Sequence, residues 1–404
     1  MPSSLSPSSD GTLLRKQQVN NTAPRSARHS INHFTMLLLF ALGSNGSGQL
    51  GIGHKEDVSV PKDAHFDADL PVTTSIAKIA AGGNHTIILT TTGNVYWSGD
   101  PNTGACGKFT QTQISQPPRF YPVDFLSVSS PQDPFGVGHV AATWEVSIFT
   151  RLDAQGRNTR IYSCGTGQKG ELGLGNFIFR TATPSLIPDF PPPDTEIVDL
   201  AACMGHVVAV LSNGDVWGWG NGRKGQIGAP EDIVHSPRKI EGLSFKVAKA
   251  VCGKEFTCFL GSPGSGNIMV LGSDKWGIKA KVPGQVAGWR EVGASWGNLF
   301  ILKADGSLLS WGRNDHGQLA PDNLCQVKHI AVGSEHVLAL SEEGDVTAWG
   351  WGEHGNCGPL STSDATKGQQ NVIASSKFIP PGAKIATIGA GCATSWVAIQ
   401  MPST

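Results

Sequence analysis

The sequence has 404 residues, 51 of them glycine, with 16% charged residues and a net charge of −1 with histidine neutral. Glycine is nearly double its usual share of about 7% and charge is well below the usual level of about 25%, which excludes a chain that holds nucleic acid through a global basic field and points to short strands joined by tight turns. No window approaches the roughly 18 apolar residues of a membrane helix, and eight cysteines without a Cys-x-x-Cys pair read as reduced, small buried hydrophobes of a cytosolic or nuclear protein.

Residues 1–35 hold little apolar content, and Arg15, Lys16, Arg25 and Arg28 make them mildly basic. Such a segment cannot bury enough surface to offset its ordering entropy, so disorder is expected. Met36 to Leu42 is a short apolar run with basic residues upstream. It leads directly into a repeated motif, so it reads as a strand rather than as the core of a signal peptide.

From there two patterns recur. One is a buried strand of the form Gly-x-x-His-x-x-x-Leu, clearest at Gly82 to Leu89 and Gly333 to Leu340, with Gly205-His206 leading into Val207 to Val210. Looser copies run through Trp144 to Ile148, Phe256 to Leu260, Asn298 to Leu302 and Ser395 to Ile399. The other is a turn and strand ending on a Trp-Gly anchor, as in Asn213-Gly214-Asp215-Val216-Trp217 followed by Trp219-Gly220-Asn221-Gly222-Arg223-Lys224-Gly225-Gln226-Ile227-Gly228. Asn-Gly and Asp-Gly between apolar runs are hairpin signals, because both accept positive φ. Each repeat therefore holds a hairpin.

The anchor glycines are Gly43, Gly99, Gly165, Gly220, Gly272, Gly312 and Gly350. Their uneven spacing places insertions in surface connections, marked by Pro117-Pro118, Pro188 to Pro193 and Pro230 to Pro237. A fixed pattern returning at tens of residues is a repeat architecture. The two patterns are out of phase. The chain opens with an anchor strand, Leu37 to Gly43, that has no buried strand before it, and closes with a buried strand, Ile388 to Ile399, that has no anchor after it. If these ends pair, the ring closes without an open sheet edge. The expectation is an all-β chain forming a single seven-bladed β-propeller over 36–400, closed by pairing of N- and C-terminal strands.

The combined pattern, Gly-x-x-His-x-x-x-Leu, Asn/Asp-Gly-x-Val and Trp-Gly-x-Asn-x-x-Gly-Gln-Leu-Gly, resembles the regulator of chromosome condensation repeat. Within that superfamily the opening Phe40 to Gly46, running on through Gly53-His54-Lys55-Glu56-Asp57, is similar to the start of the fungal alpha-tubulin-suppressor, or killer-toxin-insensitivity, family. That resemblance implies a protein-binding propeller without catalysis or cofactor, in cytoplasm and nucleus. Its implied partner is a small zinc- or iron-binding protein of diphthamide synthesis, held as a heterodimer, with Elongator as a further associate. The implied roles are diphthamide formation on elongation factor two and Elongator-dependent modification of wobble uridine in tRNA. No direct nucleic-acid or membrane contact is expected. The alternative is guanine-nucleotide exchange on a Ran-type GTPase. The founding exchanger's loop reads Ala-Gly-Asp-Ser-His-Thr, and the nearest segment here, Ala81-Gly82-Gly83-Asn84-His85-Thr86, lacks the Asp.

No metal spacing, nucleophile elbow or phosphate loop appears, so no catalytic, cofactor or metal residue is nominated. His85, His206 and His336 recur at one strand position and read as structural groups bonded to a neighbouring blade. Trp and Arg dominate protein interfaces, which makes Trp144, Lys254, Glu255, Trp296 and Glu335, beside the loops before the buried strands, the candidate partner-binding residues. Trp276 and Trp351, in anchor loops where other copies carry smaller or polar residues, complete the set.

Overall fold

The computed structural model describes residues 37–68, 70, 74–107, 116–123, 125, 136–359 and 369–402. The disorder expected of residues 1–35 lies outside the described residues. The chain enters through β1 (Leu37–Gly43) and β2 (Val58–Asp63). The first blade follows as β3 (Ile76–Ala81), β4 (His85–Thr90), β5 (Val95–Gly99) and β6 (Tyr121–Pro122), in that order from centre to rim. The second blade is β7 (Val137–Ala142), β8 (Val146–Leu152), β9 (Asn158–Thr166) and β10 (Arg180–Leu186). The third is β11 (Ile197–Cys203), β12 (His206–Leu211), β13 (Val216–Asn221) and β14 (Ile233–Lys239).

Blades four and five have three strands each. They are β15 (Lys249–Cys252), β16 (Phe256–Leu260) and β17 (Ile268–Gly272), then β18 (Trp289–Ala294), β19 (Asn298–Lys303) and β20 (Leu308–Gly312). The sixth returns to four: β21 (Val327–Val332), β22 (His336–Ser341), β23 (Asp345–Gly350) and β24 (Gln369–Ser375). The chain ends with β25 (Lys384–Ala390) and β26 (Thr394–Gln400), and the last sheet runs β25, β26, β1, β2. The seventh blade is thus built from both ends of the chain. β1 lies antiparallel on β26 from Leu37 opposite Gln400 to Gly43 opposite Thr394. The segment read as one closing strand, Ile388 to Ile399, is two strands with a turn at Gly391 to Ala393, because the innermost strand of every blade precedes the buried one.

The second strand of each blade is the most buried, as its run of apolar residues requires. β4, β12 and β22 are buried along their whole length. The innermost strands close a ring in the order β3, β7, β11, β15, β18, β21, β25 and back to β3. Aromatic residues wedge between blades: Trp97, Trp219, Trp349 and Trp396 are among the largest fully buried side chains.

The recurring motif accounts for how blades hold each other. The indole N–H of Trp219 donates to Glu171 O of the preceding blade at 3.0 Å, Trp311 to Ile278 O at 3.0 Å and Trp349 to Gln318 O at 3.1 Å. The Gln of the motif rigidifies the receiving loop, since Gln49, Gln226 and Gln318 each accept from the amide two residues earlier at 2.9 Å. The repeated histidines lie between blades as expected. His85 Nε2 meets Ser147 Oγ at 3.1 Å, His206 Nε2 meets Thr257 Oγ1 at 2.9 Å and His336 Nε2 meets Ser395 Oγ at 2.9 Å. Burial pushes all three imidazoles down to about 4.

The eight cysteines are all free thiols. Five are buried, but Cys203 and Cys392 are half-buried beside the central channel and Cys325 is exposed, so the expectation of eight buried thiols holds only in part. No helix among the described residues is long and apolar enough to cross a membrane.

Candidate docking face

Each blade sends two loops to the same face: the turn between its innermost and second strands, and the anchor loop after its third strand. They are latched together. The residue after each anchor glycine donates its amide to the carbonyl of the inner turn, as in Asp100 to Asn84, Asn221 to Gly205, Arg313 to Gly297 and Ser44 to Ala393, at 2.7 to 3.0 Å. All seven anchor glycines have positive φ, from 99° at Gly220 to 134° at Gly99. A β-carbon at any of them would collide with that same carbonyl, so only glycine permits the latch.

On this frame the seven candidate residues come together. Lys254, Glu255, Trp276, Trp296, Glu335 and Trp351 line one groove of about 320 Å³ across blades four, five and six. Trp144, from the second blade, reaches over the channel mouth, where its ring centroid lies 6.1 Å from that of Trp296. The two indoles roof the central cavity that both line. Trp144 is 37% exposed and Trp276 43%, unlike the inter-blade tryptophans. Trp276 sits at φ +68°, which turns its side chain out of a loop where a standard backbone would not.

Three further residues organise the groove, and the sequence reading passed over them. Arg313, directly after the anchor glycine Gly312, places its guanidinium 5.5 Å from the Trp276 ring and 5.6 Å from the Trp351 ring. His316 stacks on Trp351, with centroids 4.3 Å apart and planes inclined by 5°. Lys275 lies 5.2 Å over Trp276, and Lys254 5.1 Å over Trp296. Cations and rings thus alternate across the groove, each contact favoured by the ring quadrupole. Arg313 is held in place by Glu335 Oε1 at 2.6 Å and Asp315 Oδ2 at 2.8 Å, while Gln318 Nε2 donates to both carboxylates at 3.2 and 3.0 Å. The hydrogen bond from Arg313 holds the Asp315 carboxyl far below its ordinary range. Burial pushes the Glu335 carboxyl upward against the pull of Arg313. The usable signal was an arginine next to an anchor glycine, flanked in the neighbouring copies by Trp276 and Trp351.

No group of three or more His, Cys, Asp or Glu among the described residues is placed to hold a metal ion. What the groove presents is rigid aromatic area, fixed by ion pairs and rimmed by lysines.

A closed seven-bladed ring with its candidate site on loop ends is the architecture of a propeller that displays a surface. Residues 38–397 match the RCC1-like domain, and this chain belongs to that family. It is 32% identical over 377 residues to an RCC1 repeat-containing protein of Schizosaccharomyces pombe, covering 90% of this chain and 99% of that protein. It is 26% identical to the mouse secretion-regulating guanine nucleotide exchange factor over 70% of this chain, and spans 61% of that protein's length. Among solved structures, Prp20p of Saccharomyces cerevisiae superposes with a TM-score of 0.72 at 23% identity, over 91% of this chain and 93% of that one. Human WBSCR16 superposes with 0.70 at 18%, over 91% and 100%. At these identities the structural likeness establishes the fold alone.

Proposed function

We propose that this propeller is a non-catalytic docking platform whose partner seats on the groove spanning blades four to six. The observation that carries the reading is the Lys275–Trp276–Arg313–Trp351–His316 ladder: partly exposed aromatic area held rigid by Glu335 and Asp315. Rigid Trp and Arg side chains lose little freedom on binding and dominate interface energies. Supported by the resemblance of Phe40 to Asp57 to the alpha-tubulin-suppressor family, we take the partner to be a small zinc- or iron-binding protein of diphthamide synthesis. The chain would then support diphthamide formation on elongation factor two and Elongator-dependent wobble-uridine modification, in cytoplasm and nucleus.

The competing reading is nucleotide exchange. One relative is named an exchange factor, and the Prp20p structure is described by its binding to Gsp1p and histones. The local geometry tells against exchange through the loop at Ala81 to Thr86. His85 is turned inward onto Ser147, and a β-carbon at Gly83 would collide with the Trp144 ring, leaving no room for the exchanger's Asp. Affinity purification of the chain and of its Arg313→Ala/Trp351→Ala form separates the readings. Recovery of a small metal-binding protein with the parent and its loss with the variant supports the platform. Preferential recovery of a nucleotide-free small GTPase overturns it.

A further inference from the structure

The innermost strands carry a feature that the docking face does not use. Lys78, Asp199, Lys249, Glu291, His329 and Thr387 each stand opposite the fifth residue of their blade's second strand: Leu89, Val210, Leu260, Leu302, Leu340 and Ala398. His139 occupies the same level in the second blade, its amide donating to Thr150 Oγ1, the fifth residue of β8. All seven innermost strands therefore place a polar side chain at one height. The next level up, Ile79, Val140, Leu200, Ala250, Val292, Ile330 and Ile388, is wholly apolar.

The partners within this ring are unevenly shared. Asp199 spends one oxygen on Lys249 Nζ at 2.7 Å and the other on the Ala250 amide at 2.9 Å. Glu291 repeats that arrangement on the opposite arc, with His329 Nδ1 at 2.6 Å and the Ile330 amide at 2.9 Å. Both carboxylates of the ring are thus fully engaged. Lys78 reaches past the second blade to give one hydrogen bond to the carbonyl of Leu200, on the third, at 3.2 Å. An ammonium has three donors, and a neutral carbonyl does not offset its charge. The carboxylate of Asp199 pulls on it less strongly than the Lys249 ammonium opposes it. The groups facing it are Lys249, Asp199, Cys252 and the neighbouring His139. Burial pushes the Cys252 thiol up and the His139 imidazole down, so neither supplies a negative charge. Lys78 lines both the central cavity of about 280 Å³ beneath the Trp144–Trp296 roof and a second of about 220 Å³ towards blades six and seven, where Thr387 adds a hydroxyl.

We propose that the central channel is an anion site, in which a small oxyanion of the phosphate or carboxylate class pairs with the Lys78 ammonium beside Lys249. The Lys78 donors that Leu200 does not engage and the two cavities it faces supply the site, and the surplus of ammonium groups on this arc supplies the charge. Burial and the adjacent Lys249 push the Lys78 ammonium down to about 8 against the smaller opposing pull of Asp199, and a bound anion reverses that shift.

The test uses the full chain with inorganic phosphate and, separately, acetate, each against chloride at matched ionic strength. Phosphate or acetate is expected to raise the melting temperature above the chloride control. In carbon-13 spectra of labelled lysine, the same anion is expected to move the Lys78 midpoint upward. Lys78→Met, which keeps the length and removes the charge, is expected to fold and to weaken anion affinity at least tenfold. Acetate acting alone would identify a carboxylate ligand, and phosphate acting in addition a general oxyanion site. An unmoved Lys78 midpoint in the parent overturns the proposal, as does a Lys78→Met protein that keeps the full anion-dependent gain. Neither result bears on the groove, whose cation and ring contacts involve neither Lys78 nor Lys249.

Discussion

Acid should open this ring through three histidines, and the size of the effect can be worked out. His85, His206 and His336 are buried and neutral in the fold, at about 4, against 6.5 for a solvated imidazole. Folded values below the unfolded one mean that the unfolded chain takes up protons first. Their contribution is complete above pH 6.5 and is lost as the pH falls towards 4. With 1.36 kcal/mol per pKa unit, each histidine costs about 2 kcal/mol by pH 5 and the three together about 6. That is comparable with the whole stability of many domains, ~5–15 kcal/mol. The carboxylates pulled down in the fold, such as Asp153, Asp274 and Asp305, act only at lower pH. The assay is urea unfolding from pH 7.5 to 5.0, on the parent and on His206→Gln. Glutamine can still bond Thr257 but cannot titrate, so the variant should be less stable at pH 7.5 by about 1–2 kcal/mol, the loss typical of a disturbed buried hydrogen bond. Its stability should nevertheless fall more slowly, by about 1.2 kcal/mol less per pH unit near pH 5.5. Equal slopes for the two proteins would refute the assignment of His206 as a neutral inter-blade pin.

Other perturbations give distinct readouts. Trp396 is fully buried in the closing blade, so Trp396→Ala should cost about 3–5 kcal/mol in denaturant titrations. Gly220→Ala places a methyl against Gly205 O at φ +99° and should cost roughly 2 kcal/mol or more, measured the same way. Lys249→Met leaves the buried Asp199 carboxylate without its cation and should lose about 3 kcal/mol, with much of that recovered in the Lys249→Met/Asp199→Asn double variant. Arg313→Ala leaves the buried Glu335 carboxylate without its cation and should cost about 3 kcal/mol, much of it recovered in Arg313→Ala/Glu335→Gln. Both variants should weaken partner capture by tenfold or more in a titration with the purified partner, a loss of about 1.4 kcal/mol or more.

The ring was legible because its construction rules are local. The anchor glycines are needed wherever an anchor loop latches onto an inner turn, so seven latches leave seven glycines at recognisable distances. The phase offset between Leu37–Gly43 and the final buried strand was enough to predict closure, because an unpaired edge on either would be exposed. The innermost strands were not legible as separate elements. Ile76–Ala81, Lys249–Cys252 and Lys384–Ala390 are small, mixed segments packed at the centre, with no alternation to separate them from the turn that follows. The polar ring escaped notice for the same reason. Lys78, Asp199, Lys249 and Glu291 share a level only through register, and register is a property of pairing rather than of spacing along the chain.

The groove shows what a degenerate repeat can still disclose. Copies that keep Gln226 or Gln318 spend their loop on holding the next blade, and those positions are buried at 1% and 0%. Trp276 stands in the weakest anchor copy, where that Gln is missing, and Trp351 takes a position that is Ser44 in the first copy and Asn221 in the fourth. Departures from the repeat therefore mark residues released from inter-blade duty, Trp276 exposed and Trp351 half-buried. Arg313 was hidden because it departs in the same way but sits inside an otherwise well-formed copy. Only the distances to Trp276, Trp351 and Glu335 show that it ties two other departures into one surface.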